Sequence, residues 1–164
     1  MTIPNTRLLN LAGFAASSGM MAYALYAEHY LLLDPCPLCV FQRMAVIAMA
    51  LVFLLATLHN PAGWGRRVYA SLVAVAAAAG AAVAGWHVWL QHLPPDKVPA
   101  CGPGFGYIID SFPLSEALKM IFSGSGECAS IDWSFLGLSM PACVVICVVL
   151  LGTYGVWANI RDTH

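Results

Sequence analysis

Two cysteines separated by two residues offer the clearest chemistry in this sequence. Cys36 and Cys39 enclose Pro37-Leu38, and Arg43 follows one helical turn after the second cysteine. Such a pair can form a disulfide or share a metal ion. Proline suits the first turn of a helix. A helix that begins near Pro37 would place Cys39 where unpaired backbone N–H groups stabilise a thiolate. These features favour a redox-active pair.

Arg43 supports the redox interpretation. It lies four residues after Cys39, so both side chains share one face of the predicted helix. A guanidinium beside a sulfur favours the thiolate form. An arginine so close to the hydrocarbon is costly and suggests a functional partner. The alternative is a structural disulfide next to an arginine whose side chain reaches the membrane interface.

The composition indicates an integral membrane protein. Of the 164 residues, 60% are hydrophobic and only 9% are charged, whereas a soluble domain carries about 25% charged residues. The mean hydropathy is +0.77. The formal net charge of −1 provides no basic surface for nucleic acid, and neither a phosphate-binding loop nor a nucleic-acid motif is present.

Four apolar stretches are long enough to cross a hydrocarbon core of ~30 Å. They cover residues of about 8–27, 40–58, 68–90 and 135–157. We predict an all-α membrane protein, a four-transmembrane-helix bundle that forms a single integral membrane domain over residues 1–164. The loops at 28–39 and 91–134 would then lie on one side of the membrane.

Basic residues predict the orientation. Arg7, Arg66, Arg67 and Arg161 fall on the same side of a four-span protein, and arginine in short loops marks the cytoplasm. The topology is therefore N-in and C-in, with the two other loops outside.

The long outer loop contains a short amphipathic pattern. Leu114, Leu118, Ile121 and Phe122 share one helical face, and Pro113 suits a helix start. We predict a short helix there. It would lie either on the membrane surface or in a small core of the loop itself.

The remaining cysteines fall into two groups. Cys101 and Cys128 lie in the outer loop among glycines and prolines, on the side where disulfides persist. They could form a disulfide that an incoming thiolate attacks, or a bridge that only closes the loop. Zinc is a weaker option because this pair lacks the short spacing of structural zinc sites, and we predict no metal. Cys143 and Cys147 lie inside the fourth span and are expected to act as small packing residues.

His87 lies near the outer end of the third span, at a depth similar to that of Arg43. An imidazole and a guanidinium at one depth could both donate hydrogen bonds to a carbonyl ligand in the membrane interface. The alternative is a histidine that is simply satisfied between helices.

Taken together, these motifs resemble the disulfide bond formation protein B (DsbB) family of bacteria. The shared features are four spans, the CxxC-x3-R run at the outer start of the second span, and a second cysteine pair in the last outer loop. Residues 126–128 and 132–141 are similar to the family's segment before the fourth span, and residues 87–91 are similar to its segment at the end of the third.

This resemblance implies a thiol:quinone oxidoreductase in the bacterial inner membrane with its active site on the periplasmic side. Its partner would be a soluble periplasmic thiol oxidase of thioredoxin fold, DsbA-like, which the protein reoxidises. The electrons would pass to a membrane quinone, ubiquinone or menaquinone, and from there to the respiratory chain. Arg43 and His87 match residues that the family places around the quinone.

The resemblance also implies a role for each outer cysteine. Cys101 matches the cysteine that the partner attacks, and Cys128 matches its loop partner, which then exchanges with Cys36. Cys39 matches the cysteine that contacts the quinone ring as a thiolate. Two alternatives stay open at this point. One is a quinone-linked oxidase of a different dedicated thiol partner, and the other is a structural four-span protein whose disulfides staple its loops.

Overall fold

Long helices dominate the computed structural model, which describes residues 5–97, 105–123, 126–131 and 133–161. The helical elements in these ranges are α1 (Thr6–His29), α2 (Pro37–His59), α3 (Trp64–Gln91), a 3₁₀ turn (Pro95–Lys97), α4 (Phe105–Ser111), α5 (Leu114–Ser123), α6 (Gly126–Ala129) and α7 (Met140–Ile160). Two short strands, β1 (Ser134–Phe135) and β2 (Leu138–Ser139), pair antiparallel.

Helices α1, α2, α3 and α7 are each long and apolar enough to cross a membrane. They pack in a ring in which α1 contacts α2, α2 contacts α3, α3 contacts α7, and α7 returns to α1. Lipid cannot satisfy backbone polar groups, so a spanning segment forms its hydrogen bonds internally as a helix. The predicted four-helix membrane bundle is confirmed.

The fourth span begins later in the chain than predicted. The apolar pattern placed its start at residue 135, but α7 begins at Met140 because the preceding residues form the β1–β2 turn. Leu136 and Gly137 occupy that turn with positive φ angles of 52° and 82°. Pro141 lies in the first turn of α7, where its missing N–H has no helical partner. The apolar residues before Met140 therefore belong to the outer loop.

The outer loop has its own hydrophobic core, to which the predicted amphipathic helix contributes. Helix α5 buries Ala117 and Ile121 in this core, while Leu114 and Phe122 stay exposed. A position of this exposed part on the membrane surface stays a prediction. The core also holds Cys36 of the α1–α2 loop and Cys128 of α6, together with other buried residues: Leu38, Leu90 and Ile108. Packing of the loop on the ends of α2 and α3 thus brings distant cysteines into one apolar environment.

Polar side chains join the opposite end of the bundle. Asn10 on α1 and Asn159 on α7 are buried and exchange two hydrogen bonds of 3.1 and 2.9 Å. Arg66 donates to the carbonyl oxygens of Asn159 and Arg161. Reciprocal amide bonds of this kind stabilise helix contacts in lipid. The basic residues that predicted the orientation therefore do lie at one end, and the assignment of that end to the cytoplasm stays a prediction.

Small residues let the helices approach closely in the middle of the bundle. Phe53 on α2 is fully buried between Gly13 of α1 and Gly155 of α7. A Cβ atom at Gly155 would lie 2.7 Å from atoms of both Phe53 and Val73. Such a distance is shorter than packed carbon atoms tolerate, so the bundle at this level requires glycine.

We expect Gly155→Ala to destabilise the protein by about 1–3 kcal/mol, the usual cost of overpacking a core. The matched control is Gly85→Ala on α3, where an added Cβ meets no atom within 4 Å. Both changes raise helix propensity equally, so their difference isolates the clash. Thermal and denaturant unfolding in detergent would measure it. Equal stability of the two variants would show that the close approach at Gly155 is not required.

Candidate active site

The CxxC pair lies where α2 begins, as its proline predicts. Cys36 is the N-cap residue, Pro37 starts the helix, and the Cys36 side chain accepts a hydrogen bond from the Cys39 backbone N–H at 3.4 Å. The two Sγ atoms are 3.1 Å apart, and both residues are free thiols. Cys39 therefore occupies the first turn of α2, where the helix dipole and the unpaired N–H groups favour negative charge.

Two residues that are distant in sequence complete a cluster around Cys36. Helix α6 carries Cys128, which is fully buried, and α3 carries His87, which is 3% exposed. The Sγ atoms of Cys36 and Cys128 and a ring nitrogen of His87 all lie within 4.8 Å of one another. The Nε2 atom of His87 is 3.8 Å from Cys36 Sγ. A thiol of the outer loop is thus within reach of the CxxC pair.

The surroundings of Cys36 favour its protonated form. Hydrogen bonds to Cys128 and Cys39, together with burial, raise the pKa of the Cys36 thiol above its ordinary value. A negative charge on Cys36 is therefore disfavoured.

Gln42, which the sequence analysis missed, holds His87 in place. Its side-chain nitrogen lies 2.9 Å from Nδ1 of His87, and both residues are buried. In the tautomer in which the amide donates to Nδ1, the ring proton is on Nε2, which faces Cys36. The sequence signal for Gln42 was an amide side chain inside an apolar span. Such a polar group requires a partner within the bundle and therefore indicates a site.

Arg43 pairs with an acidic residue of α1. Its guanidinium forms an ion pair with Glu28 and donates to the carbonyl oxygen of Ala24 at 3.3 Å. Within the described residues no hydrogen bond joins Arg43 to Cys39, although both line the same pocket. Glu28 was also missed, and its signal was an acidic residue at the end of the first apolar stretch.

A pocket with apolar walls lies beside the cluster. Its cavity volume is about 130 Å³, and the space rises to about 920 Å³ when the open solvent at its mouth is included. Methionine and valine side chains form part of its wall: Met20, Met21, Val46 and Val144. Its polar lining consists of Asp34, Cys36, Cys39, Gln42, Arg43, His87, Gln91 and Ser130. An apolar pocket with a few convergent polar groups is the usual form of a small-molecule site.

The predicted site residues are therefore mostly adjacent. Cys36, Cys128 and His87 form the cluster, Cys39 contacts Cys36, and Arg43 lies on the pocket wall. Cys101 lies outside the described residues, so its pairing and its role stay predictions. Cys143 and Cys147 are free thiols on α7, and their packing role also stays a prediction.

Comparisons with known proteins identify the family of this chain. The family model described as disulfide bond formation protein DsbB matches residues 6–158. A protein of Methylococcus capsulatus named Disulfide bond formation protein B is 50% identical over 161 residues, which cover 97% of this chain and 98% of that protein. Proteins of the same name from Nitrosococcus oceani and Acinetobacter baumannii are 47% and 51% identical over 93% and 86% of this chain, and 90% and 83% of their own. The chain therefore belongs to the DsbB family of disulfide-forming membrane proteins.

Proposed function

We propose that this protein reoxidises a periplasmic dithiol oxidase of thioredoxin fold, DsbA-like, and passes the electrons to membrane quinone. In the overall reaction two partner thiols become a disulfide, and the two electrons and two protons convert quinone to hydroquinone. The protein would act in the bacterial inner membrane with its cluster on the periplasmic side. The observation that supports this proposal is the position of Cys128 beside a CxxC pair whose second cysteine lines an apolar pocket.

The exchange steps follow the roles that the family implies for the four cysteines. A partner thiolate attacks Cys101 of a Cys101–Cys128 disulfide, and Cys128 leaves as a thiolate. That thiolate attacks Cys36 of a Cys36–Cys39 disulfide, and Cys39 leaves in turn. The second thiolate of the partner then attacks the mixed disulfide and releases Cys101, which attacks Cys128 and frees Cys36. The net result is an oxidised partner and a reduced Cys36–Cys39 pair, and no oxidant other than quinone is consumed. The proximity of Cys128 and Cys36 supports the second step, and the first turn of α2 stabilises the departing Cys39.

The pocket residues fit a quinone. When bound, quinone supplies a flat two-electron acceptor with two carbonyl oxygens. The methionine and valine walls suit an apolar ring, and Cys39 lies on the same lining. His87, when its ring proton is on Nε2, and Arg43 provide N–H groups on that lining. N–H groups that turn toward a site of developing negative charge would stabilise it.

The direct test is quinone reduction by the purified protein in detergent. We expect quinone absorbance to fall when a reduced thioredoxin-fold partner is supplied. The control is the Cys143→Ala/Cys147→Ala variant, which should turn over like the parent because its thiols lie on α7, outside the cluster. Loss of turnover in a well-folded control would refute the packing role predicted for Cys143 and Cys147.

Three outcomes separate the candidate functions. Turnover with a DsbA-like partner supports the proposal. Turnover with another dithiol protein alone would indicate an oxidase for a dedicated partner. Absence of turnover with every partner and quinone, in a folded sample, would overturn the proposal. It would favour a structural four-span protein whose disulfides only cross-link its loops.

A further inference from the structure

We propose that the fully reduced protein binds one Zn²⁺ ion through Cys36, Cys128, His87 and Cys39, and that the bound ion blocks thiol exchange. The binding itself does not depend on the proposed quinone function. Sequence spacing disfavours zinc because Cys101 and Cys128 are far apart along the chain. The fold, however, places Cys128 beside the CxxC pair.

The first three ligand atoms are already close to a zinc geometry. They lie within 4.8 Å of one another, whereas tetrahedral bonds of about 2.0–2.3 Å hold ligand atoms roughly 3.3–3.8 Å apart. Side-chain adjustments of about 1 Å would close the site. Cys36, His87 and Cys128 are all buried, so bulk water competes little for the ion.

Gln42 supplies the outer hydrogen bond that a zinc-bound histidine requires. Its amide contacts Nδ1 of His87, while Nε2 faces Cys36 Sγ. For zinc binding the Gln42 amide turns over, so that its oxygen accepts from Nδ1–H and the lone pair of Nε2 becomes free for the metal. A ligating histidine almost always donates its other N–H in this way.

Cys39 is the fourth candidate ligand and would complete a Cys₃His set, which is typical of structural zinc. Its sulfur lies 3.1 Å from Cys36 Sγ but outside the group of three close ligand atoms, so its side chain would have to turn toward the ion. Cys39 also lines the pocket together with Cys36 and His87. The pocket therefore offers an entry path to the ligands.

Redox state controls the site. Zinc binds thiolates, so each ligating thiol releases its proton to solvent as a Zn–S bond forms, and no electron is transferred. Any disulfide that includes Cys36 or Cys128 removes ligands. Only the reduced protein can therefore hold the ion, and the ion in turn occupies the sulfur atoms that exchange requires.

Cobalt spectroscopy tests the proposal. Reduced protein in a Cys143→Ala/Cys147→Ala background, freed of reductant, is titrated with Co²⁺, and thiolate-to-metal and tetrahedral d–d absorption are recorded, since geometry is diagnostic of the ligand set. Zn²⁺ then displaces Co²⁺ in competition with a chelator. We expect one equivalent of tetrahedral metal, and none after oxidation of the protein.

Variants identify the ligands. Cys128→Ser and His87→Ala should each weaken zinc binding by about 100-fold or more, because even the loss of an outer partner costs 10–100-fold. Cys101→Ala should bind as the parent does. His87→Cys, a ligand exchange, should retain tight binding with more intense thiolate-to-cobalt absorption, and it remains informative if His87→Ala does not fold.

Several results would overturn the zinc site. Parental affinity in Cys128→Ser would assign the metal to the CxxC pair alone, and a collapse in Cys101→Ala would assign it to the loop pair. An octahedral spectrum, or a parental spectrum in His87→Cys, would exclude the proposed ligand set. Quinone reduction is measured separately without metal, so failure of the zinc site and failure of the proposed function are distinguishable.

Discussion

Replacement of Cys39 by serine is expected to reduce quinone turnover by about 10³-fold or more, which corresponds to about 4 kcal/mol in the barrier. Serine keeps the size of the side chain at the start of α2 but cannot form a disulfide with Cys36. The Cys39 sulfur also lines the pocket and lies 3.1 Å from Cys36 Sγ. Its loss therefore interrupts the exchange chain at the point where electrons would leave the protein.

The measurement is quinone absorbance with a reduced thioredoxin-fold partner. Cys143→Ser is the matched control, because it makes the same chemical change in a thiol on α7. Unfolding in detergent should show both variants to be as stable as the parent. If Cys39→Ser retained most of the parental turnover, electrons would have to leave through another group, and the role assigned to Cys39 would be wrong.

Arg43→Met is expected to raise the apparent KM for quinone by about 10- to 100-fold, with a smaller effect on kcat. A hydrogen bond from a charged donor contributes about 1.5–3 kcal/mol, and Arg43 lines the pocket beside Cys39. Methionine keeps the length and much of the apolar stem of arginine. The change therefore tests the charged donor rather than the packing.

The ion pair with Glu28 complicates that test, because Arg43→Met leaves a carboxylate without its partner. Glu28→Gln and the double variant Glu28→Gln/Arg43→Met close a cycle that separates the two effects. If the donor matters, the double variant stays as weak as Arg43→Met. Recovery of quinone affinity in the double variant would instead attribute the defect to the unpaired Glu28. Unchanged apparent affinity in Arg43→Met itself would remove Arg43 from the site.

The sequence alone was sufficient for features that depend on local pattern. Apolar runs predict the four spans, because a single apolar segment that crosses a bilayer must satisfy its backbone hydrogen bonds internally as a helix. The start of α2 also follows from local chemistry, because Pro37 suits the first turn and Cys36 can cap it. The combined spacing of cysteines and arginine was specific enough to indicate the family, which the comparisons confirm.

The position of α7 shows where local pattern fails. Residues 135–139 are apolar enough to extend the span, yet they form the β1–β2 turn, and the helix begins only at Met140. Apolar composition therefore does not determine where a helix begins, and Leu136 and Leu138 stay exposed in the turn. The amphipathic pattern of α5 likewise predicted a helix but not which of its apolar residues, here Ala117 and Ile121, are buried in the loop core.

Only the tertiary structure decided which side chains meet. Sequence placed Arg43 on the face of Cys39, but the guanidinium pairs with Glu28 of α1. It gave no partner for His87, which the fold places between Gln42 and Cys36. Cys128 reaches Cys36 through the packing of α6 in the outer core. Periodicity defines the face of a helix on which a residue lies. A buried polar group, however, must bind a partner that another helix brings within hydrogen-bond distance. The spacing of residues along the sequence contains no information about that distance.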